Sequence, residues 1–330
     1  MTTKHRKYKP DRDFLRVRDL LVNTYSAFEK PVNWRIERWN YARYLVVPYL
    51  GPGRTTNHTP EDSLKSIRLW EDALHVWEND DGDIVGAVTV EYAWPGEVFL
   101  QRHPRYDALL DEMLCYAEEA LTDRKNNTLG VYIYDYDEPL QALARQRGYR
   151  QDAQHPEYDS EFVINELPEP ELPEGYVIRS MADENNLELR RKIYGLGFNH
   201  RDPSEWASVF AYQELQNAPD YRKDLDLVVV GPDGEYVSCC IVWYDERNRM
   251  GIFEHVATHL DFRRRGFGRA VVMEGLRRIA TLGATIAWVG SGQEFYEAIG
   301  FRKKHVCYNW IKKFQTTRNQ HHEESTSDSP

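Results

Sequence analysis

Apolar residues along this chain alternate between short runs rich in β-branched and aromatic side chains and longer stretches with helical spacing, and the order of these runs occurs twice. "HVWENDDGDIVGAVTVEY" (75–92) sets two β-rich runs around Asp81 and Gly82, and "LDLVVVGPDGEYVSCCIVWY" (225–244) sets two around Asp233 and Gly234. Both predict hairpins, because Asp-Gly supplies the turn and the flanks have strand composition. Each is followed by another apolar segment, a long helix pattern, a strand, and a helix ending in Gly plus an aromatic: "LARQRGY" (143–149) and "FYEAIGF" (295–301). Gly82 to Gly148 spans 66 residues, and so does Gly234 to Gly300. An interval kept to the residue points to a duplicated α/β unit.

The punctuation between the copies is explicit. "NELPEPELPEGY" (165–176) is rich in Pro and Glu, is incompatible with a helix interior and reads as an extended linker. The expected organisation is a first domain over 1–165, a linker over 166–175, a second domain over 176–314 and a disordered polar tail over 315–330. A chain of 330 residues suits two domains of ~150 residues each. "NWRIERWNYARYLVVPYL" (33–50) concentrates aromatics on a helix-like stretch, so Trp34, Trp39 and Tyr44 are either a packed helix face or part of a pocket wall.

Composition narrows the class. With 41% hydrophobic and 29% charged residues the chain reads as a globular protein. No apolar run approaches the ~20 residues of a membrane span, and the charged start "MTTKHRKYKPDRD" is unlike a signal peptide, so the cytoplasm is the expected location. Cys115, Cys239, Cys240 and Cys307 lack metal-ligand spacing and are expected as reduced, mostly buried thiols. His321 and His322 are the remaining metal-type pair, but they sit in the polar tail, which reads as idle, and no metal is expected. A net charge of −11 disfavours nucleic acid, and it is uneven: about −7 over 1–165 against about +2 over 176–314. Acidic walls in the first half would suit a cationic small molecule.

The less acidic half holds the most distinctive stretch, "DFRRRGFGRA" (261–270). "MGIFEHVATHLDF" (250–262) is a strand running into a loop, and "RAVVMEGLRRIATLG" (269–283) carries Val272, Leu276 and Ile279 at helical spacing and stops at Gly283. The arginines therefore sit on a strand-to-helix turn. Gly266 and Gly268 let backbone N–H groups approach a ligand, and the helix start adds partial positive charge, an arrangement that binds phosphate. A Walker loop is excluded because no Gly-Lys-Ser/Thr follows. A dinucleotide fingerprint is excluded because position 271 is Val and the residues around Trp288 are apolar. "VGSGQ" (289–293) lacks the partner order of a serine hydrolase and reads as a loop after a strand.

The remaining pattern, Arg-x-x-Gly-x-Gly in Arg263, Gly266 and Gly268, resembles the GNAT superfamily of acyl-CoA-dependent N-acetyltransferases. The preceding strand "FEHVATHLDF", the following helix and "FYEAIGF" occur in the same order as in that family. The resemblance implies an α/β fold of two tandem GNAT-like domains, each a mixed, largely antiparallel sheet splayed near its middle and flanked by helices. It implies acetyl-CoA as acyl donor, touched by the backbone of Val256, Ala257 and Thr258 and by the turn Arg263, Arg264, Arg265, Gly266, Phe267, Gly268 and Arg269. Tyr296 is similar to the family's usual general acid. Strand alternation puts Glu254, Val256 and Thr258 on one face, so Glu254 is the candidate base, with His255 and His259 as alternative proton relays.

The first half departs from the pattern. "FLQRHPRYDALLDEML" (99–114) keeps a similar His-containing loop but lacks the glycine turn, and Ala144 stands where alignment puts Tyr296. It is expected to bind no cofactor and to build one wall of the acceptor site or serve as a structural partner. The function implied is acetyl transfer to a primary amine of a small cationic molecule. Two alternatives stay open: a non-catalytic acyl-CoA-binding or regulatory protein, and an acetyltransferase of protein N-termini or lysines. The sequence leaves the acceptor and the oligomeric state undetermined.

Overall fold

A computed structural model describes residues 2–28 and 30–315. The expected tail, with His321 and His322, lies outside the described residues except for its first position. Thirteen strands form one sheet: β1 (Thr3–Lys7), β2 (His75–Asn79), β3 (Ile84–Thr89), β4 (Glu97–Arg102), β5 (Thr128–Tyr134), β6 (Arg150–Gln151), β7 (Glu157–Val163), β8 (Val177–Ser180), β9 (Asp226–Val230), β10 (Tyr236–Asp245), β11 (Met250–Thr258), β12 (Ile286–Val289) and β13 (Arg302–Lys313). The spatial order is β1-β2-β3-β4-β5-β13-β7-β12-β11-β10-β9-β8, with β6 paired to β13. Pairing is antiparallel except for β4 with β5 and β11 with β12. The mixed, helix-flanked architecture implied by the resemblance is therefore the observed one.

Both predicted hairpins form, β2–β3 and β9–β10. Their turn glycines have closely matched positive φ, 83° at Gly82 and 79° at Gly234, and the glycines closing the later helices are also at positive φ, 87° at Gly148 and 130° at Gly300. The loop contacts repeat as well. His103 N–H donates to the Val85 carbonyl and His259 N–H to that of Val237, each at 3.0 Å. Each histidine's Nδ1 then accepts from the N–H two residues on, at 3.2 Å in the first half and 3.1 Å in the second.

The halves exchange their last strands. β7, from before the linker, pairs with β12 of the second half. β13, from after it, pairs with β5 of the first half and with β7. Trp310 on β13 is accordingly part of the first half's core, and Phe162 on β7 packs against the second half's. Residues 164–176, between β7 and β8, carry no helix or strand, and the sheet runs across them.

Two further features position the site. A third apolar core joins the halves: Ile36, Tyr41, Leu45 and Val46 pack with Tyr212, Leu215, Ile241, Trp243, Ile252 and Trp288. The stretch that supplies the first group is helical from Ile36 to Tyr49, with one widened π turn over Ala42–Val46. No helix among the described residues is long and apolar enough to cross a membrane. The four cysteines are free, Cys239 and Cys240 buried, Cys115 and Cys307 half-buried.

Candidate active site

The arginine turn joins β11 to the helix Phe267–Thr281. Arg264 has φ 64° and Gly266 φ 87°. A turn whose backbone alternates in hand points successive N–H groups at one place and forms an anion-binding concavity at a helix start, where the first N–H groups have no intrahelical acceptor. Gly268 is tight for a different reason than ligand approach alone. A Cβ there would sit 3.0 Å from Thr258 Oγ1 and 3.1 Å from the Phe295 ring.

The turn's side chains divide. Arg263 braces the loop, donating to the Thr258 carbonyl at 3.2 Å and the Gly197 carbonyl at 2.7 Å. Arg265 stacks on Tyr176, Phe262 and Phe267, and Arg269 donates to the Ala298 carbonyl at 3.0 Å. Arg264 is exposed. Phe267 is buried in the core, so only its backbone faces the concavity. Three of the four arginines thus shape the turn, and the backbone and Arg264 are its most available donors.

Upstream, β11 pairs with β12 only from Met250↔Ile286 to Phe253↔Val289. From Glu254 to Thr258 that side of the strand has no partner strand: the sheet parts here, leaving a backbone edge over Val256, Ala257 and Thr258 that leads to the turn. On the opposite side Cys240 faces Val256 while Val242 faces Phe253, a bulge centred on Glu254 and His255. The edge, the concavity and the tight Gly268 fit an extended ligand ending in phosphates.

Glu254 stands at the parting point. It lines a cavity of about 370 Å³ together with Arg35, Glu37, Arg38, Glu91, Glu157 and Asp159. Burial, reinforced by the carboxylates of Glu37 and Glu91, pushes the Glu254 carboxyl up to about 8. Arg35 holds Asp159 in a two-pronged contact at 2.7 and 3.1 Å and lies over the Trp288 ring. Arg38 reaches Glu91 at 2.5 Å and Glu157 at 3.6 Å, stacked over Trp34 and Phe99.

Tyr296, on the helix Glu294–Ile299, belongs to the second half's core and is 7% exposed. Burial and the neighbouring Glu254 carboxylate raise its hydroxyl well above the usual phenol range, so it stays protonated and can act only as a donor near neutral pH. His255 points the other way. Its Nε2 accepts from Arg190 at 2.9 Å and its Nδ1 meets the Tyr41 hydroxyl at 3.1 Å. Burial and Arg190 push its pKa well below the usual imidazole range, leaving it neutral. His259 is occupied as a loop cap. Among the described residues no His/Cys/Asp/Glu group is arranged to hold a metal ion.

Residues 223–303 match the family model of the acetyltransferase (GNAT) domain. The chain carries a GNAT acetyltransferase domain. Its fold is that of known GNAT structures: a GCN5-related N-acetyltransferase from Sphaerobacter thermophilus (17% identity, 94% of this chain and 95% of that one, TM-score 0.57) and a tandem GNAT protein of the clavulanic acid biosynthesis pathway (11%, 96% and 100%, TM-score 0.59). A fungal glucosamine N-acetyltransferase region is also similar (16% identity, TM-score 0.53), the match covering 94% of this chain and 38% of that one. Comparison with curated protein sequences returns no significant match.

The first half's counterpart of the GNAT domain's open edge is filled by its own chain. β4 pairs with β5 only at Glu97 and Val98. Beyond them the Asn33 side chain accepts from Arg102 N–H at 2.7 Å and donates to its carbonyl at 2.8 Å. Trp34 N–H donates to Gln101 at 2.8 Å, and its ring packs on Phe99 with centroids 4.6 Å apart. No residue from 97 to 126 has positive φ, so the left-handed pattern of the arginine turn has no equivalent there.

Of the aromatic stretch, Trp34 lines the cavity beside the GNAT domain, Trp39 is fully buried against Phe14, and Tyr44 packs beneath it. Sequence reasoning missed Glu37, Arg35, Arg38, Glu91, Glu157 and Asp159. The available signal was "RIER" (35–38), charge set inside an otherwise aromatic helix.

Proposed function

We propose that residues 176–314 bind acetyl-CoA and transfer its acetyl group to a primary amine of a small cationic molecule, while residues 1–165 bind no cofactor and wall the acceptor site. Acetyl-CoA supplies the acetyl group as a thioester. The edge at Val256, Ala257 and Thr258 would hold its extended arm, and the backbone of Gly266, Phe267 and Gly268 with Arg264 its pyrophosphate, the other arginines of the turn keeping that backbone in place. Glu254 takes a proton from the acceptor ammonium. The freed nitrogen attacks the thioester carbonyl and forms the new C–N bond, and the Tyr296 hydroxyl gives its proton to the sulfur as the C–S bond breaks. The second proton of the nitrogen passes through water to the Tyr296 oxygen, leaving the amide and free CoA thiol. Glu254 then releases its proton to water.

The observation that carries this reading is the position of Glu254: it ends the unpaired strand edge and faces a cavity whose other carboxylates come from the first half. A walled cavity of about 370 Å³, at the lower end of the ~300–1,000 Å³ of small-molecule sites, favours a small amine over a polypeptide. Four free cysteines fit a reducing compartment, and the cytoplasm is the proposed location. The test is a panel of amines incubated with acetyl-CoA and the full chain, read by release of free thiol. Acetyl-CoA binding without thiol release for any amine would replace this reading with a non-catalytic acyl-CoA-binding protein.

A further inference from the structure

The charges of the cavity do not balance. Five carboxyl groups line it, Glu37, Glu91, Glu157, Asp159 and Glu254, against two guanidinium groups, Arg35 and Arg38, an excess that remains when Glu254 is protonated. Both arginines already face carboxylates, although Arg35 Nε has no hydrogen-bond partner of its own. Arg35 is engaged by Asp159, and Arg38 by Glu91 with Glu157 close by. What remains is carboxylate. Glu37 is 7% exposed, and its Oε2 has no hydrogen-bond partner. Its Oε1 is 3.8 Å from Arg35 Nε, beyond hydrogen-bond reach. A carboxylate oxygen buried without a donor is costly, and a cavity lined by it calls for a ligand that brings one. The aromatic part of the wall, Trp34, Tyr41, Tyr134 and Tyr158, suits an alkyl chain bearing ammonium groups.

We propose that the acceptor is a dication, an aliphatic compound with two amino groups, one presented to Glu254 for acetylation and the second held as ammonium by Glu37. This rests on the transferase reading for the role of Glu254, while the occupant follows from the charge and the orphaned oxygen. The same inventory argues against an amino-acid acceptor, whose carboxylate would add to an existing excess of carboxyl groups. A monoamine would leave Glu37 without a donor.

Three molecules of matched length separate these cases: 1,4-diaminobutane, n-butylamine and 4-aminobutanoate, each titrated by calorimetry into the full chain saturated with unacetylated CoA, so that no turnover occurs. The diamine is expected to bind at least tenfold tighter than butylamine, and 4-aminobutanoate weakest. Glu37→Gln is expected to close most of the gap between diamine and butylamine. A diamine that binds no tighter than butylamine, or a 4-aminobutanoate that binds as well as the diamine, overturns the proposal on the wild-type protein alone. Repeating the diamine experiment with acetyl-CoA and thiol detection tests the other reading separately. Diamine binding without thiol release leaves the occupant supported and removes the transfer step.

Discussion

Replacing Glu254 by Gln perturbs stability and catalysis in opposite directions, and both effects follow from one cause. The folded protein holds the Glu254 proton up to about pH 8, whereas an unfolded chain releases it near the ordinary glutamate value of 4.5. Between these values the native state binds more protons, so Glu254 contributes its full stability below about pH 4.5 and loses it as pH rises through about 8. At ~1.4 kcal/mol per pH unit the whole interval is worth ~5 kcal/mol. Glu254 is only half-buried, so solvent screening reduces this to ~2–4 kcal/mol. Glutamine keeps the shape and carries no charge, so the variant should match wild type at pH 5 and exceed it by ~2–4 kcal/mol at pH 9. Urea denaturation at the two pH values measures the difference. Catalysis should move the other way. The wild-type rate should climb with pH to a plateau above about 8, because the base must be ionised, and the variant should lose that limb and ~10²-fold or more in turnover. A stability difference independent of pH, or larger at pH 5, would refute the burial argument. An intact alkaline limb in the variant would remove Glu254 as base.

Tyr296→Phe should lower turnover by ~10²-fold to 10⁴-fold while leaving acetyl-CoA affinity nearly unchanged, measured by thiol release and calorimetry; a near-normal rate would return Tyr296 to a packing role. Gly268→Val forces a side chain against Thr258 and Phe295 and should weaken acetyl-CoA binding by ~1.5–3 kcal/mol, and unchanged affinity would show that the turn does not hold the donor. Asn33→Ala strips both partners from the buried Arg102 backbone and should cost ~2–4 kcal/mol in urea unfolding, with a loss below ~1 kcal/mol contradicting the role given to Asn33. Ending the chain after Phe301 removes the strand between β5 and β7, so cooperative unfolding of both halves should be lost together. A first half that still unfolds with its own sharp transition would show that the exchange is dispensable.

Local chemistry made much of this protein legible in its sequence. The two Asp-Gly turns, the repeated 66-residue interval, the helix-closing glycines and the glycine turn after β11 each act over a few residues, where backbone preference and alternation leave little choice. The first half's lack of a phosphate-type turn was legible for the same reason. Tertiary structure decided three things. Nothing local in 157–163 or 302–313 says which sheet edge each completes. Hydrogen bonds to a neighbouring strand are set by the whole sheet, so the exchange across the linker was not predictable from either segment. Helical periodicity cannot separate a pocket wall from a core face, and only packing put Trp34 on the cavity and Trp39 beneath it. Glu37, Glu91, Glu157 and Glu254 lie far apart in sequence, and each alone reads as surface charge. Folding brings them to one cavity, where lost water and nearby carboxylates, absent in an extended chain, raise the pKa of Glu254 in a way no local pattern encodes.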